Sequence, residues 1–151
     1  MSDWRADITN ALDAFVTVAK LAGSPVRREQ FVVEFLAAPH KPPASLPTGK
    51  MAIYGFWGAG QWLKIGKAGP NSQARYTSQH YNPASARSTL AASLTRDPEM
   101  LRLPGFDPAK SGEWIKSHTH RVNILLSSWR GKRMLALLES FLHIRLNPRY
   151  T

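Results

Sequence analysis

The first apolar pattern in the chain has the period of an amphipathic helix. Spacings of four, four, three and three place five apolar side chains on one helical face: Trp4, Ile8, Leu12, Phe15 and Val18. This predicts a helix from about Ser2 to Ala22, which Gly23 ends. Ser24-Pro25 then has the form of an N-cap followed by proline at the first helical position, and predicts a second helix that ends near Ala38. Residues 1–40 are therefore expected to form a helical hairpin.

A proline-rich stretch separates this predicted hairpin from the rest of the chain. Three prolines between residues 41 and 50 cannot continue a helix, so we expect a semi-rigid linker there. The linker predicts a domain boundary, with a second domain over residues 51–151.

The second domain shows short strand-like runs followed by helical patterns. The predicted strands lie at residues 52–57, 61–66 and 121–126, and the first two form a hairpin around a glycine-rich turn. The predicted helices lie at residues 71–79, 86–95 and 128–146, and the loop before the third strand is expected to end in a short turn of helix near residues 113–117. The expected fold class is α+β, with a small three-stranded antiparallel sheet flanked by helices in the order β-β-α-α-β-α, preceded by the helical hairpin.

The charge of the chain is concentrated in the second domain. Residues 1–50 carry a net charge of +1 and residues 51–151 carry +9. No acidic residue lies between Met51 and Arg96, where cations alternate with aromatic residues. Such a field suits a polyanion, because cations that neutralise phosphates also release condensed counterions. A basic surface that only keeps the protein in solution is the alternative.

Composition narrows the chemistry further. The chain has no cysteine, which excludes disulfides, thiolate metal sites and cysteine nucleophiles and leaves a hard divalent ion as the best candidate metal. His118 and His120 stand two apart, but no third ligand is placed to complete a site with them. The apolar runs are too short to span a membrane and the N-terminus lacks the order of a signal peptide, so we expect a cytoplasmic protein without a membrane partner.

Two tripeptides and four later residues carry a more specific signal. They are Ala52-Ile53-Tyr54, then Lys64-Ile65-Gly66, Arg75, His80, Glu139 and Asn147. In this order the chain resembles the GIY-YIG nuclease superfamily, in a KIG-type variant with Lys64 where most members have tyrosine. The resemblance covers about residues 51–150 and implies a β-β-α-β-α module that hydrolyses phosphodiester bonds.

The resemblance implies a role for each matching residue. Glu139 would hold one Mg²⁺ or Mn²⁺ ion, with waters and the substrate phosphate completing its coordination. Arg75 would clamp the phosphate through its guanidinium. Tyr54 would act as a general base or orient the attacking water, with His80 or Lys64 assisting.

Ordinary structural roles are the alternative for these residues. Tyr54 could be a packed side chain, and Glu139 could simply pair with Arg133 or Arg145. Asn147, which the resemblance places in support of the metal-binding helix, could be a plain helix stop before a proline.

The function expected from these observations is a metal-dependent endonuclease acting on double-stranded DNA. The cations expected to contact the nucleic acid are Lys67, Arg87, Arg130, Lys132 and Arg133. The alternatives are a catalytically inactive nucleic-acid-binding module of the same fold and an RNA-directed nuclease or toxin. The N-terminal helices are expected to hold a second copy or a protein partner.

Overall fold

Four strands pair into one antiparallel sheet in the computed structural model, which describes residues 3–151. They are β1 (Val32–Leu36), β2 (Lys50–Gly58), β3 (Gln61–Ala68) and β4 (His120–Ser127). Their order across the sheet is β1-β4-β2-β3, so β2 and β4 are central. The α+β class is confirmed and each of the three predicted strands is present, but the prediction of a three-stranded sheet is wrong because β1 adds a fourth strand.

β1 occupies residues for which the sequence predicts the second helix of the hairpin. Between residues 24 and 38 the chain forms only a short 3-10 turn, Arg28–Gln30, and β1 itself. Val32 and Val33 lie opposite Leu125 and Ile124 of β4. The predicted helical hairpin is therefore wrong: β-branched side chains favour extended backbone, and pairing with β4 satisfies the peptide groups of this segment.

Six α-helices lie within residues 3–151. They are α1 (Trp4–Leu21), α2 (Gln73–Thr77), α3 (Leu90–Thr95), α4 (Pro98–Leu101), α5 (Ser111–His118) and α6 (Lys132–Leu146). The predicted start of the first helix, at Ser2, lies outside the described residues, and α4 was not predicted. None of these helices combines the length and the apolar character needed to cross a bilayer.

The sheet separates two hydrophobic cores. On one face α1 and α6 cover Ile53, Ile65 and Ile124, and the apolar stripe of α1 is buried in this core. The opposite face packs against α2, α3 and α5 through Tyr54 and Phe56. Strand β1 therefore belongs to the same sheet as the strands of residues 51–151, and α1 packs in the same core.

The segment predicted as a linker contains no helix or strand between residues 41 and 49, but it is attached to the domain. Leu46 is buried, and its backbone N–H and carbonyl each form a hydrogen bond with the Gln73 side chain. Leu46 N–H donates to Gln73 Oε1 and Gln73 Nε2 donates to the Leu46 carbonyl, both at 2.8 Å. This contact fixes the start of α2.

A buried arginine joins the sheet to α2 and to the turn that follows it. Arg121 of β4 is 1% exposed and donates to Asn123 Oδ1 at 2.7 Å, the Tyr76 carbonyl at 2.7 Å and Tyr81 Oη at 3.0 Å. Its guanidinium carbon lies 5.1 to 5.9 Å from the centres of four rings, those of Tyr54, Phe56, Tyr76 and Tyr81. Charge, hydrogen bonds and ring contacts thus converge on one side chain.

The C-terminal segment covers the outer edge of β3. Asn147 ends α6 in the left-handed conformation, with φ of 50°, and turns the chain back toward the sheet. Arg149 N–H then donates to the Trp62 carbonyl at 3.0 Å, and Tyr150 N–H donates to the Leu63 carbonyl at 2.9 Å. An edge that could pair with another chain is thereby occupied.

Replacing Asp97 by Asn tests how this segment is held. Asp97 accepts from Arg149 Nε at 2.7 Å and from Tyr150 Oη at 2.6 Å, and the bond from Arg149 holds the pKa of the carboxyl well below its usual range. The carboxylate therefore contributes its full stability above its unfolded pKa of about 3.9 and loses it as the pH falls toward the lower folded pKa. We expect Asp97→Asn to lower the free energy of unfolding at neutral pH by about 1.5–3 kcal/mol and to flatten its decrease in acid.

Asp107→Asn is the matched control. Each carboxylate accepts from a backbone N–H at 3.0 Å, Asp97 from Glu99 and Asp107 from Ala109. Asp107, however, is exposed and forms no ion pair with the residues described. Urea unfolding from about pH 2 to pH 7 measures both variants. Equal and small effects of the two substitutions would contradict the assignment of Asp97 as the carboxylate that holds the C-terminal segment.

Candidate functional site

A charged cleft lies beside β3, between α2 and α6. Its volume is about 450 Å³ and its lining includes Lys67, Ser72, Arg75, Lys132, Leu135 and Glu139. The cations come from three different elements: β3, α2 and α6. The cleft therefore brings three cations and one carboxylate, far apart in the sequence, to one surface.

Glu139 forms an ion pair within the cleft. Its Oε1 lies 2.9 Å from Lys67 Nζ, and its side chain is 20% exposed against 46% for Lys67. The sequence offered Arg133 or Arg145 as the partner, but the structure places Lys67 there. The other carboxylate oxygen, Oε2, accepts no hydrogen bond from residues 3–151.

Tyr54 lies behind the cleft and is completely buried. It stands on β2 directly opposite Gly66 of β3, and a Cβ at Gly66 would lie 2.7 Å from the ring and hydroxyl of Tyr54. Only glycine leaves room for the tyrosine, which gives a steric reason for the last residue of the second tripeptide. Because it is buried and absent from the cleft lining, the hydroxyl does not reach the cleft surface. Burial also raises the pKa of Tyr54 to about 12, so the hydroxyl is neutral at pH 7.

His80 holds the Tyr54 hydroxyl in place. The Leu90 N–H donates to His80 Nδ1 at 3.0 Å, so the proton of the neutral ring is on Nε2, which donates to Tyr54 Oη at 2.7 Å. Burial, with the nearby charge of Arg75, lowers the pKa of His80 to about 3. The imidazole is therefore neutral over the whole physiological range and also caps the start of α3.

Arg75 and Lys64 complete the group behind and beside the cleft. The charge of the half-buried Arg75 lowers the pKa of the Tyr54 hydroxyl, against the larger effect of burial. Lys64 is 4% exposed, and burial followed by the charge of Arg75 lowers its pKa, whereas Glu139 raises it. The structure thus brings together the five residues predicted as catalytic: Tyr54, Lys64, Arg75, His80 and Glu139.

Of the five cations expected to contact nucleic acid, Lys67 and Lys132 line the cleft. The three outside its lining are Arg87, Arg130 and Arg133. Arg130 lies toward the N-terminal segment, where it donates to the Pro25 carbonyl at 2.9 Å and to Gln30 Oε1. The cationic surface therefore extends beyond the cleft.

Asn147 is outside the cleft lining, since it stands at the C-terminal end of α6 and Glu139 stands in the middle of that helix. The residue nearer to Glu139 is His143, one turn along α6. Its Nε2–H donates to the Ile65 carbonyl at 3.1 Å and so ties α6 to β3. This bond helps to fix the position of Glu139 relative to the sheet.

His118 and His120 are each engaged elsewhere. His118 Nδ1–H donates to the Trp114 carbonyl at 3.3 Å, and His120 Nδ1 accepts from the Ala38 N–H at 2.9 Å. In the part of the chain that the structure describes, no three His, Asp or Glu side chains are grouped to hold a metal. A metal in the cleft would have Glu139 as its single carboxylate ligand.

Sequence reasoning missed Arg121, which supports the site from beneath Tyr54. The signal that could have revealed it is the period of a strand: Arg121, Asn123 and Leu125 share one face of β4. Two polar residues on a buried face of a central strand require partners. The strand pattern alone does not reveal which partners these are.

No family model matches the chain, and neither the curated proteins nor the solved structures contain a match to it.

Gly66→Ala tests the contact behind the cleft. The added methyl group would lie 2.7 Å from the Tyr54 ring, so either the ring or β3 must shift. We expect the free energy of unfolding to fall by about 1–3 kcal/mol, measured by denaturant unfolding.

Gly69→Ala is the control for this substitution. A Cβ there meets nothing closer than Ser72 Oγ at 3.9 Å, which is an ordinary contact. If Gly66→Ala proved as stable as Gly69→Ala, Tyr54 would not be held as described.

Proposed function

We propose that the protein is a metal-dependent nuclease that hydrolyses phosphodiester bonds in double-stranded DNA. The observation that carries the proposal is the cleft in which Lys67, Arg75 and Lys132 surround the carboxylate of Glu139. Three cations suit the charge of a phosphodiester backbone, and the net charge of +9 over residues 51–151 suits a polyanion. Arg75 and Glu139, two of the residues that carry the resemblance to the GIY-YIG superfamily, line this cleft, and the resemblance supports the same reaction.

The donor set of the cleft fits one hard divalent ion. Mg²⁺ is commonly held by one or two carboxylates, with waters and substrate phosphates as the remaining ligands. Glu139 offers one carboxylate, and its Oε2 accepts no hydrogen bond from the residues described. A bound Mg²⁺ or Mn²⁺ would supply a Lewis acid for the phosphate and lower the pKa of a bound water.

The cations of the cleft bind and orient the phosphate. Arg75 presents a planar guanidinium that can hold two phosphate oxygens at once. Lys67 neutralises Glu139 in the free protein and becomes available to a phosphate when another cation takes its place at the carboxylate. Lys132 adds a charge from the first turn of α6.

Tyr54 acts through Arg75 in this account. Its hydroxyl is buried, neutral and held by His80, so a role as a phenolate base would require it to leave these contacts. The same hydroxyl interacts with Arg75, which does line the cleft. Tyr54 and His80 are therefore assigned to positioning the guanidinium, and Lys64, whose pKa is lowered by burial, lies behind the cleft.

A nucleic-acid-binding module without catalysis is the second candidate. The Lys67–Glu139 ion pair favours it, because a carboxylate satisfied by lysine need not bind a metal. An assay of cleavage separates the two candidates, and RNA beside DNA as substrate tests the choice of nucleic acid.

Glu139→Ala is the direct test of catalysis. If Glu139 holds the metal, the variant loses metal-dependent cleavage but binds nucleic acid as well as the wild type or better, because a negative charge leaves a basic cleft. Plasmid cleavage and fluorescence anisotropy with a labelled duplex measure the two properties.

Glu113→Ala controls for the change in net charge. Glu113 is an exposed acid on α5 that pairs with Lys116 at 3.6 Å and is outside the cleft lining. The substitution Glu113→Ala should leave cleavage unchanged. Normal metal-dependent cleavage by Glu139→Ala would exclude Glu139 as the metal ligand.

Tyr54→Phe tests the positioning role. We expect a rate of cleavage about 10- to 100-fold lower, as is usual when a supporting hydrogen bond is removed. The pKa of Tyr54 is raised to about 12 and that of His80 lowered to about 3, so neither group titrates near neutral pH. The pH–rate profile should therefore keep its shape in the variant.

Tyr150→Phe is the matched loss of a tyrosine hydroxyl away from the cleft, where the hydroxyl donates to Asp97 at 2.6 Å. It should leave the rate of cleavage unchanged. An ionisation near neutral pH that is present in the wild type and missing in Tyr54→Phe would show that Tyr54 is a general base instead.

A further inference from the structure

One tryptophan stands apart from the others in its exposure. Trp129 is 74% exposed, whereas the other four tryptophans of the chain are buried or half-buried. It lies in a 3-10 turn, Ser128–Arg130, between β4 and α6. An aromatic side chain of this size gains from burial, so its exposure suggests a contact with another molecule.

Contacts of Arg130 and Ser128 hold the turn that carries the exposed ring. The guanidinium carbon of Arg130 lies 4.5 Å from the centre of the Trp129 ring, and Arg130 is itself bound to the Pro25 carbonyl at 2.9 Å and to Gln30 Oε1. The Ser128 N–H donates to the Gly49 carbonyl at 2.9 Å. The turn is thus anchored on both sides, and little side-chain freedom is lost when a ligand contacts the ring.

A recess of about 240 Å³ adjoins Trp129. Its lining includes Val26, Glu29, Val32, Lys50, Trp129 and Arg130. Glu29 is paired with Arg27 at 3.5 Å, so Lys50 and Arg130 leave the recess with a cationic rim around apolar walls. A flat, partly apolar group attached to an anionic backbone suits such a site.

Trp129 is close to the cleft along the chain. Three peptide units separate it from Lys132, which limits the distance between their Cα atoms to about 11 Å. The rise along one strand of DNA is about 3.4 Å per nucleotide. Because both side chains extend beyond their Cα atoms, a base in contact with Trp129 lies a few nucleotides from a phosphate in the cleft.

We propose that Trp129 stacks on an unpaired nucleobase near the phosphate bound in the cleft, so that the preferred substrate is DNA with an unpaired nucleotide at a gap or overhang. This inference rests on the proposed function, since it takes the cleft as the phosphate site. Stacking on an aromatic ring suits any base, because every base has a π face. The neighbouring cations favour nucleic acid over an uncharged protein surface.

Binding of oligonucleotides without cleavage tests the inference. A fluorescein-labelled DNA duplex with a single-stranded overhang is titrated with the protein in EDTA. In a second set of duplexes an abasic residue replaces one unpaired nucleotide, at a different position of the overhang in each duplex. We expect the wild type to bind the intact overhang about 5- to 150-fold more tightly than the abasic one at one position. Trp129→Ala should bind both equally weakly, and Trp129→Phe should recover part of the difference.

Ile144→Ala is the matched control, because Ile144 is 84% exposed on α6 and lies outside the recess and the cleft. It should bind like the wild type. The inference is overturned if Trp129→Ala keeps wild-type affinity, if it weakens binding to intact and abasic overhangs by the same factor, or if the substitution affects only binding to anionic lipid vesicles.

The two proposals fail in different ways. Absence of cleavage by the wild type with Mg²⁺ or Mn²⁺, together with a Trp129-dependent preference for the intact overhang, would refute the nuclease and support base stacking. Cleavage that depends on Glu139, together with affinity that does not depend on Trp129, would support the nuclease and refute base stacking.

Discussion

The burial of one positive charge is the constraint on which the geometry of the site depends. Arg121 is almost without solvent contact, and no carboxylate within residues 3–151 forms an ion pair with it. Its donors are satisfied by the Asn123 side chain, the Tyr76 carbonyl and the Tyr81 hydroxyl. A buried charge without partners costs several kcal/mol, so these bonds fix α2 against the sheet. Arg75 reaches the cleft because α2 is held there.

The cleft combines two opposing electrostatic demands. In the proposed function its cations attract phosphate, whereas Glu139, which lies among them, repels it. In the free protein Lys67 compensates this carboxylate at 2.9 Å. Behind the surface, His80 stays neutral because burial and nearby cations oppose its protonation, and the Leu90 N–H at its Nδ1 keeps the ring proton on Nε2, where it faces the Tyr54 hydroxyl. In the proposed function, a divalent ion would replace Lys67 at this carboxylate.

The three strands of residues 51–151 could be predicted because each is a short apolar run bounded by turn residues. Tyr54, Arg75 and Glu139 were singled out through the resemblance, and their roles stay predictions. Strand β1 could not be predicted, because Ser24-Pro25 is a strong local helix start. Its partner strand, β4, lies about ninety residues further along the chain. Local propensity carries no information on such a distant pairing, whereas the completed sheet decides it.

Cleavage of supercoiled plasmid by the wild-type protein, with Mg²⁺ or Mn²⁺ against EDTA, tests the central claim most directly. The account predicts nicked and then linear DNA with either metal and intact plasmid in EDTA, with binding to the plasmid retained in all three conditions. Intact plasmid with both metals, at protein concentrations that bind it fully, would contradict the account.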